Sequence, residues 1–275
     1  MSNSSAYDLD RGLELHPGPE PGVLHGQTDP AWANMVGPYG GMTAAVLVRA
    51  LQQSQCLGEP VALTLNYAAA LSDGPFQIVC RAARTNRSTQ HWVLELQQEA
   101  EGALQTMVTA TAVCALRREV WRCQDLPRPE VPQPQSLSPS RPNDAVRWLE
   151  RYDMRMVRGA LPTLYDGSGH DSLTQMWLRD VQRRPLDLCA LTAISDAFYP
   201  RIWLRRARWV PSGTVSLTVY FHASARELEG LGSDFIYAQA RAQDFRYGCF
   251  DQTAHFWATD GMLLATAHQI VYYKE

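Results

Sequence analysis

A chain of 275 residues with 45% hydrophobic side chains can bury a large core, so disorder is excluded as the default state. Its formal charge of -3, from 25 basic and 28 acidic residues, gives no general attraction to nucleic acid, and no basic tail gives a local one. The polar opening Met1-Ser-Asn-Ser-Ser-Ala lacks the apolar core of a signal peptide, and no apolar run is long enough to span a bilayer, so the reading is a cytoplasmic protein.

Taken in order, Gly37-Pro-Tyr-Gly-Gly41 is a turn-rich lead into an apolar helix over Met42–Leu51. Strand-like runs follow at Val61–Tyr67, Phe76–Ala83, Gln90–Gln98 and Leu104–Cys114, which reads as one helix and then an antiparallel meander. From Pro127 to Pro142 the composition turns to Pro, Gln and Ser, as in an extended linker of polyproline type. This divides the chain into a first unit over 1–118, a linker over 119–143 and a second unit over 144–275.

After the linker, Ala145–Met156 reads as a short amphipathic helix and Thr174–Leu178 as a strand. A nearly uncharged helix over 187–198 comes next, with Asp187 as its N-cap and Pro200 as its stop. Cys189, Ala193 and Asp196 share one stripe of it, so the single carboxylate rises from a row of small residues. Strands are expected at Thr214–His222, Phe235–Gln243, Thr253–Thr259 and Leu263–Tyr273, repeating the order of the first half.

The repetition extends to residues. Ala83–Val113 can be laid on Ala242–Tyr272 without a gap, and Val61–Tyr67 on Thr214–Tyr220. This is the signature of a duplicated helix-plus-sheet unit, and two such units join their sheets to cover an edge and an apolar face. On this overlay Thr214 falls on Val61 and Gln269 on Ala110, so the second copy carries polar groups where the first has apolar ones. Gln269 also shares a strand face with Leu263, Ala265, Ala267 and Val271, where its amide needs either a polar partner inside or a bulge that turns it outward.

The six cysteines form no C-x-x-C pair and read as free thiols, while the seven histidines form no H-E-x-x-H or similar spacing, so no metal is expected. Arg201, Arg205, Arg206 and Arg208, interleaved with Trp203 and Trp209, form either a solvated basic face or a site for the phosphates and adenine of coenzyme A. His222 and His268 fall at a strand end and on the face opposite Gln269, which suits structural or exposed roles. A Ser-His-Asp hydrolase is disfavoured, because there is no G-x-S-x-G elbow.

Ser195-Asp196 followed by Phe-Tyr-Pro, Thr214 opening a strand that ends Tyr-Phe-His222, and Gly261-Met-Leu-Leu-Ala-Thr-Ala-His-Gln269 together resemble acyl-CoA thioesterase II and its relatives. The resemblance covers essentially the whole chain, including Tyr39-Gly-Gly41. It implies an α+β double hotdog fold, two fused units of a helix wrapped by antiparallel strands, acting on acyl-CoA without metal or organic cofactor. It also implies that Asp196, Thr214 and Gln269 hold the water that attacks the thioester, and that two or more chains associate, as a homodimer or larger.

Such hydrolysis needs a general base, a fixed water and donors for the oxyanion; backbone amides at Gly40 and Gly41 are the expected donors, beside Tyr39 where many hotdog thioesterases have histidine. Two alternatives stand beside a hydrolase: an acyl-CoA binding protein without turnover, and a hotdog dehydratase or hydratase, which needs an Asp/His pair.

Overall fold

The computed structural model describes residues 7–140 and 146–275. The polar N-terminal six residues, and Pro142 and Ala145 at the edges of two expected segments, lie outside the described residues. In the first half, α1 (Asp8–Gly12), β1 (His16–Pro17) and β2 (Val23–Gln27) precede the long helix α2 (Gly40–Gln53). The meander then runs through β3 (Glu59–Tyr67), β4 (Pro75–Thr85), β5 (Thr89–Ala100) and β6 (Ala103–Ala115).

The second half contains β7 (Tyr152–Arg158), β8 (Thr174–Asp180), α3 (Leu188–Ile194), α4 (Arg201–Arg206) and β9 (Ser212–Phe221). It continues through α5 (Ala225–Leu231), β10 (Ile236–Arg241), β11 (Phe245–Arg246), β12 (Cys249–Trp257) and β13 (Leu263–Tyr273). The strands form a single antiparallel sheet in the order β1-β2-β4-β5-β6-β3-β9-β13-β12-β10-β8-β7, with β11 paired to β12. This is the α+β double hotdog expected from the sequence.

The halves join where β3 pairs with β9, from Ala62 opposite Tyr220 to Asn66 opposite Ser216. Pairing the innermost strands of two copies leaves neither with an open edge there. At the seam the Thr64 and Thr218 hydroxyl oxygens lie 3.1 Å apart. One hydrophobic core crosses it, running from Leu47, Leu63 and Leu94 to Leu191, Leu217 and Phe256.

α2 and α3 cross at close range inside the sheet. A Cβ on Gly41 would stand 2.2 Å from the Ala193 carbonyl oxygen, so only glycine allows the approach. α3 begins at Asp187, whose side chain accepts from the Ala190 amide at 2.7 Å, and Arg184 braces that carboxylate at 2.7 Å while also reaching Asp10.

Three expectations are corrected. The helix over 187–198 is only Leu188–Ile194: Ser195 caps it, its hydroxyl donating to the Thr192 carbonyl at 2.7 Å, and Asp196 sits in the turn beyond. The expected helix over 145–156 is a 3₁₀ turn, Arg147–Arg151, that runs straight into β7, because Tyr152 and Met154 alternate inward as edge-strand residues. The Pro-rich stretch is extended, in keeping with its composition, and it packs on the second half. Its carbonyls at Leu126 and Pro132 accept from Trp257 and Trp177, and Val131 and Leu137 pack on the aromatic cluster those rings form.

The overlay of the two halves is also shifted. Val61 and Val215 are bulges in β3 and β9, and Met107 and Leu264 are bulges in β6 and β13. Anchored on these, Thr214 matches Pro60 and Gln269 matches Ala112, in place of Val61 and Ala110. The ungapped overlay slips because β5 and β6 pair onward to Ala100 opposite Ala103, whereas β12 and β13 stop at Trp257 opposite Leu263.

Candidate active site

The C-terminus of α3, the N-terminus of α2 and the facing strands β9, β12 and β13 meet around a cavity of about 340 Å³. Asp196, Thr214 and Gln269, drawn together from the sequence, all line it, as does Tyr39. Gln269 points inward with 4% exposure and has the polar partners that this placement demands. Its Nε2 donates to Asp196 Oδ1 at 2.6 Å, and its Oε1 accepts from Gln252 Nε2 at 2.7 Å.

Burial pushes the Asp196 carboxyl from its ordinary 3.8 up to about 7, against the hydrogen bonds from Gln269 and from the Gly41 backbone amide, which favour the ionised form. A carboxylate that ionises near neutrality in an enclosed, water-accessible site is suited to proton abstraction. Its phenolic neighbours Tyr39, Tyr67 and Tyr152 are raised well above their usual range, chiefly by burial, and stay neutral beside it.

Gly40 and Gly41 are placed against Asp196 itself. A Cβ on Gly40 would meet Asp196 Oδ2 at 2.7 Å, so the glycines let the carboxylate rest on the start of a helix of 14 residues, where the backbone dipole favours negative charge. Neither glycine is among the residues lining the cavity. The Tyr39 hydroxyl is committed elsewhere: it donates to the Ala193 carbonyl at 2.6 Å, and its ring stacks on Trp148 at 4.2 Å between centroids. Tyr39 is therefore a wall of the site.

Trp148 and Gln252 are two lining residues that the sequence reading missed. Trp148 lies in the segment read as an amphipathic helix; its ring nitrogen reaches Asn34 at 3.3 Å, and it closes the cavity from the second half. Gln252 carried the same signal as Gln269, an amide on a strand face otherwise made of Phe250, Ala254 and Phe256, and it is 2% exposed.

The arginine-rich segment does not act as one surface. Arg201 is fully buried, held by the Tyr199 and Ser172 carbonyls and by Thr174 Oγ1 at 2.6 Å, with its guanidinium 5.5 Å from the Phe198 ring centroid; burial lowers its pKa to about 9. This pins the turn whose Phe198, Tyr199 and Pro200 form one wall of the cavity. Arg206 pairs with Glu275, and Arg205 lines a separate hollow with Arg158 and Arg241 that contains none of the expected site residues. Trp203 and the 56% exposed Trp209, stacked at 5.9 Å, line the main cavity.

His222 and His268 are not in the cavity. They meet Thr266 at 3.3 Å and Asp251 at 3.4 Å.

Two fused hotdog units with a buried carboxylate where their helices meet define a protein of the double hotdog class. Matches to known families narrow this. The Acyl-CoA thioesterase N-terminal domain matches residues 28–115 and the Acyl-CoA thioesterase C-terminal domain matches residues 123–273. The chain belongs to the acyl-CoA thioesterase family, and its reaction is hydrolysis of acyl-CoA.

Among solved structures it is similar to a conserved hot dog fold protein from Alicyclobacillus acidocaldarius, at 38% identity and TM-score 0.91, covering 98% of this chain and 99% of that one. A thioesterase II candidate from Thermobifida fusca YX superposes at TM-score 0.81 and 21% identity, over 98% of both chains. The tesB protein of Mycobacterium avium subs paratuberculosis superposes at TM-score 0.79 and 17% identity, over 98% of this chain and 99% of that one. Among curated proteins no sequence matches it.

Proposed function

We propose that Asp196, Thr214 and Gln269 carry the hydrolysis, with Asp196 as general base. The observation that supports this most is the 2.6 Å bond between Gln269 and a carboxylate whose pKa lies at about 7. A water in the cavity gives a proton to Asp196 and attacks the thioester carbonyl, while the Thr214 hydroxyl and the free edge of the Gln269 amide hold the water in line. No covalent acyl-enzyme is needed, and coenzyme A leaves as the thiolate. Gly40 and Gly41 act through their backbone, as the positive end of α2 beside which the oxyanion develops, and Tyr39 forms the wall against which the acyl group lies. Among the described residues the cavity lining contains no histidine, which favours hydrolysis over the Asp/His chemistry of a hotdog hydratase.

The lining also bears on the acyl group. Among the described residues no Lys or Arg lines the cavity, the only lining carboxylate is Asp196, and the walls include Tyr39, Trp148, Phe198, Trp203 and Trp209. A second carboxylate on the substrate would be buried beside Asp196 with no cation to offset it. Neutral, apolar acyl-CoAs are the expected substrates. In a thiol-release assay, butyryl-CoA should be hydrolysed at least about tenfold faster than succinyl-CoA, a modest price for an uncompensated buried charge. Equal rates would remove this assignment. Because the base must be ionised, kcat/KM should rise with pH through about 7 and level off above it. A profile flat from pH 5 to 9 would contradict the role given to Asp196.

We also infer that the enzyme works in the cytoplasm, where its six free cysteines stay reduced, and as a homodimer or larger assembly. Light scattering should give at least twice the 30.8 kDa chain mass at micromolar concentration, and a purely monomeric mass would refute the assembly.

A further inference from the structure

We infer that Gln252 is a positioning residue that decides which end of the Gln269 amide meets Asp196. This rests on Asp196 being the base. A carboxylate only accepts hydrogen bonds, so an ionised Asp196 requires the NH₂ end of Gln269, and the amide oxygen must then point the other way. That oxygen receives Gln252 Nε2 at 2.7 Å, from the residue directly opposite Gln269 across the β12–β13 ladder. With Gln252 oriented as it is, flipping the Gln269 amide alone would set NH₂ against NH₂ at one end and, with Asp196 ionised, oxygen against oxygen at the other. A flipped amide suits only a protonated Asp196, which can donate to it. Gln252 thereby holds Gln269 in the orientation that keeps the base ionised.

The duplication shows that the fold does not require this pair. With the bulges at Met107 and Leu264 aligned, Gln252 and Gln269 match Trp92 and Ala112, which face each other in the same way across β5 and β6. The copy without the carboxylate has an apolar pair there. The two amides are 2% and 4% exposed, and their hydrogen bonds run to protein groups, Gln252 to Gln269 and Gln269 on to Asp196.

The groups facing Asp196 are Gln269 from β13, the Gly41 amide and Tyr39 at the start of α2, Tyr67 from β3 and Tyr152 from β7. Tyr165 and Tyr199, also in the cavity lining, are likewise raised. All these phenols are neutral between pH 5 and 9, so an acid limb in that range reports Asp196.

The test is the pH profile of thiol release by Gln252→Leu and Gln252→Glu, each checked for folding by its thermal melt. In Gln252→Leu the acid limb of kcat/KM should move up by about one pH unit, lowering activity about fivefold at pH 7 with recovery toward pH 9. KM should change little. Gln252→Glu keeps the side chain's shape but accepts from Gln269, which favours the flipped amide and should move the limb further; it carries the test if the leucine variant does not fold. Adding Gln252→Leu to Gln269→Ala should cause no further loss, because Gln252 acts through Gln269. An unmoved limb in the folded variants, or losses that multiply in the double variant, would overturn the inference. Full activity in Asp196→Asn would instead overturn the assignment of the base.

Discussion

Asp196→Asn should abolish most turnover, by roughly 10² to 10⁴-fold, while acyl-CoA binding persists, because asparagine keeps the shape of the side chain and removes its basicity. The same substitution should stabilise the fold in a pH-dependent way. The folded protein holds the Asp196 proton up to about pH 7, whereas the ordinary carboxyl releases it near 3.8. The folded state therefore binds the extra proton between those values, and stability falls as pH rises from one to the other.

Above pH 7 the ionised carboxylate costs on the order of 4 kcal/mol, and below pH 3.8 it costs nothing. The asparagine variant should melt higher than the parent at pH 8, by about 2 to 4 °C for each kcal/mol relieved, and the gain should shrink as the pH is lowered toward 4. A carboxylate that only braced the turn after α3 would behave in the opposite way. Near-normal turnover with a lower melting temperature would make Asp196 a structural residue.

Gln269→Ala should lose about 3 kcal/mol of transition-state stabilisation, roughly 10²-fold in kcat/KM, as for the removal of one oxyanion-type donor. It also removes a hydrogen bond that holds the Asp196 pKa down, so the loss should be larger below pH 7 than at pH 9. The chain should still fold, since the matching position in the first half is Ala112, buried at 3% exposure in an equivalent strand. The amide left behind on Gln252 lines the cavity, where a water can replace its partner. Unchanged hydrolysis by a well-folded Gln269→Ala protein would place this residue outside the chemistry.

The elements most legible in the sequence were those set by period and punctuation. The strands after α2 and the final hairpin stand within a few residues of their expected bounds, because each alternates apolar and polar side chains over nine or more residues between turn signals. Gln269 was legible by violation: an amide on an apolar face must find a partner, and it has two. Gln252 broke the same rule on the neighbouring strand and could have been found in the same way. The end of α3 was not legible, because Ser195 caps it with its own hydroxyl, a bond that competes with helix continuation without any glycine or proline to mark it.

By itself, then, the sequence determined a duplicated helix-and-meander chain, a single carboxylate near the end of an apolar helix, and a polar second copy beside an apolar first. These follow from short-range periodicity and from comparing the chain with itself. Only the tertiary structure decided what that carboxylate touches and which residues the duplication equates. Asp196 is joined to Gln269 across 73 positions of chain and rests on the start of α2 in the other half. The bulges at Val61, Met107, Val215 and Leu264 shift the equivalences off an ungapped overlay. Arg201 shows the same limit, since a cation in an arginine-rich run reads as solvated until the neighbouring Tyr199 carbonyl and, from one distant segment, the Ser172 carbonyl and Thr174 hydroxyl are seen to enclose it. Burial and cross-strand partners depend on how the two halves pack on each other, and no local pattern encodes that packing.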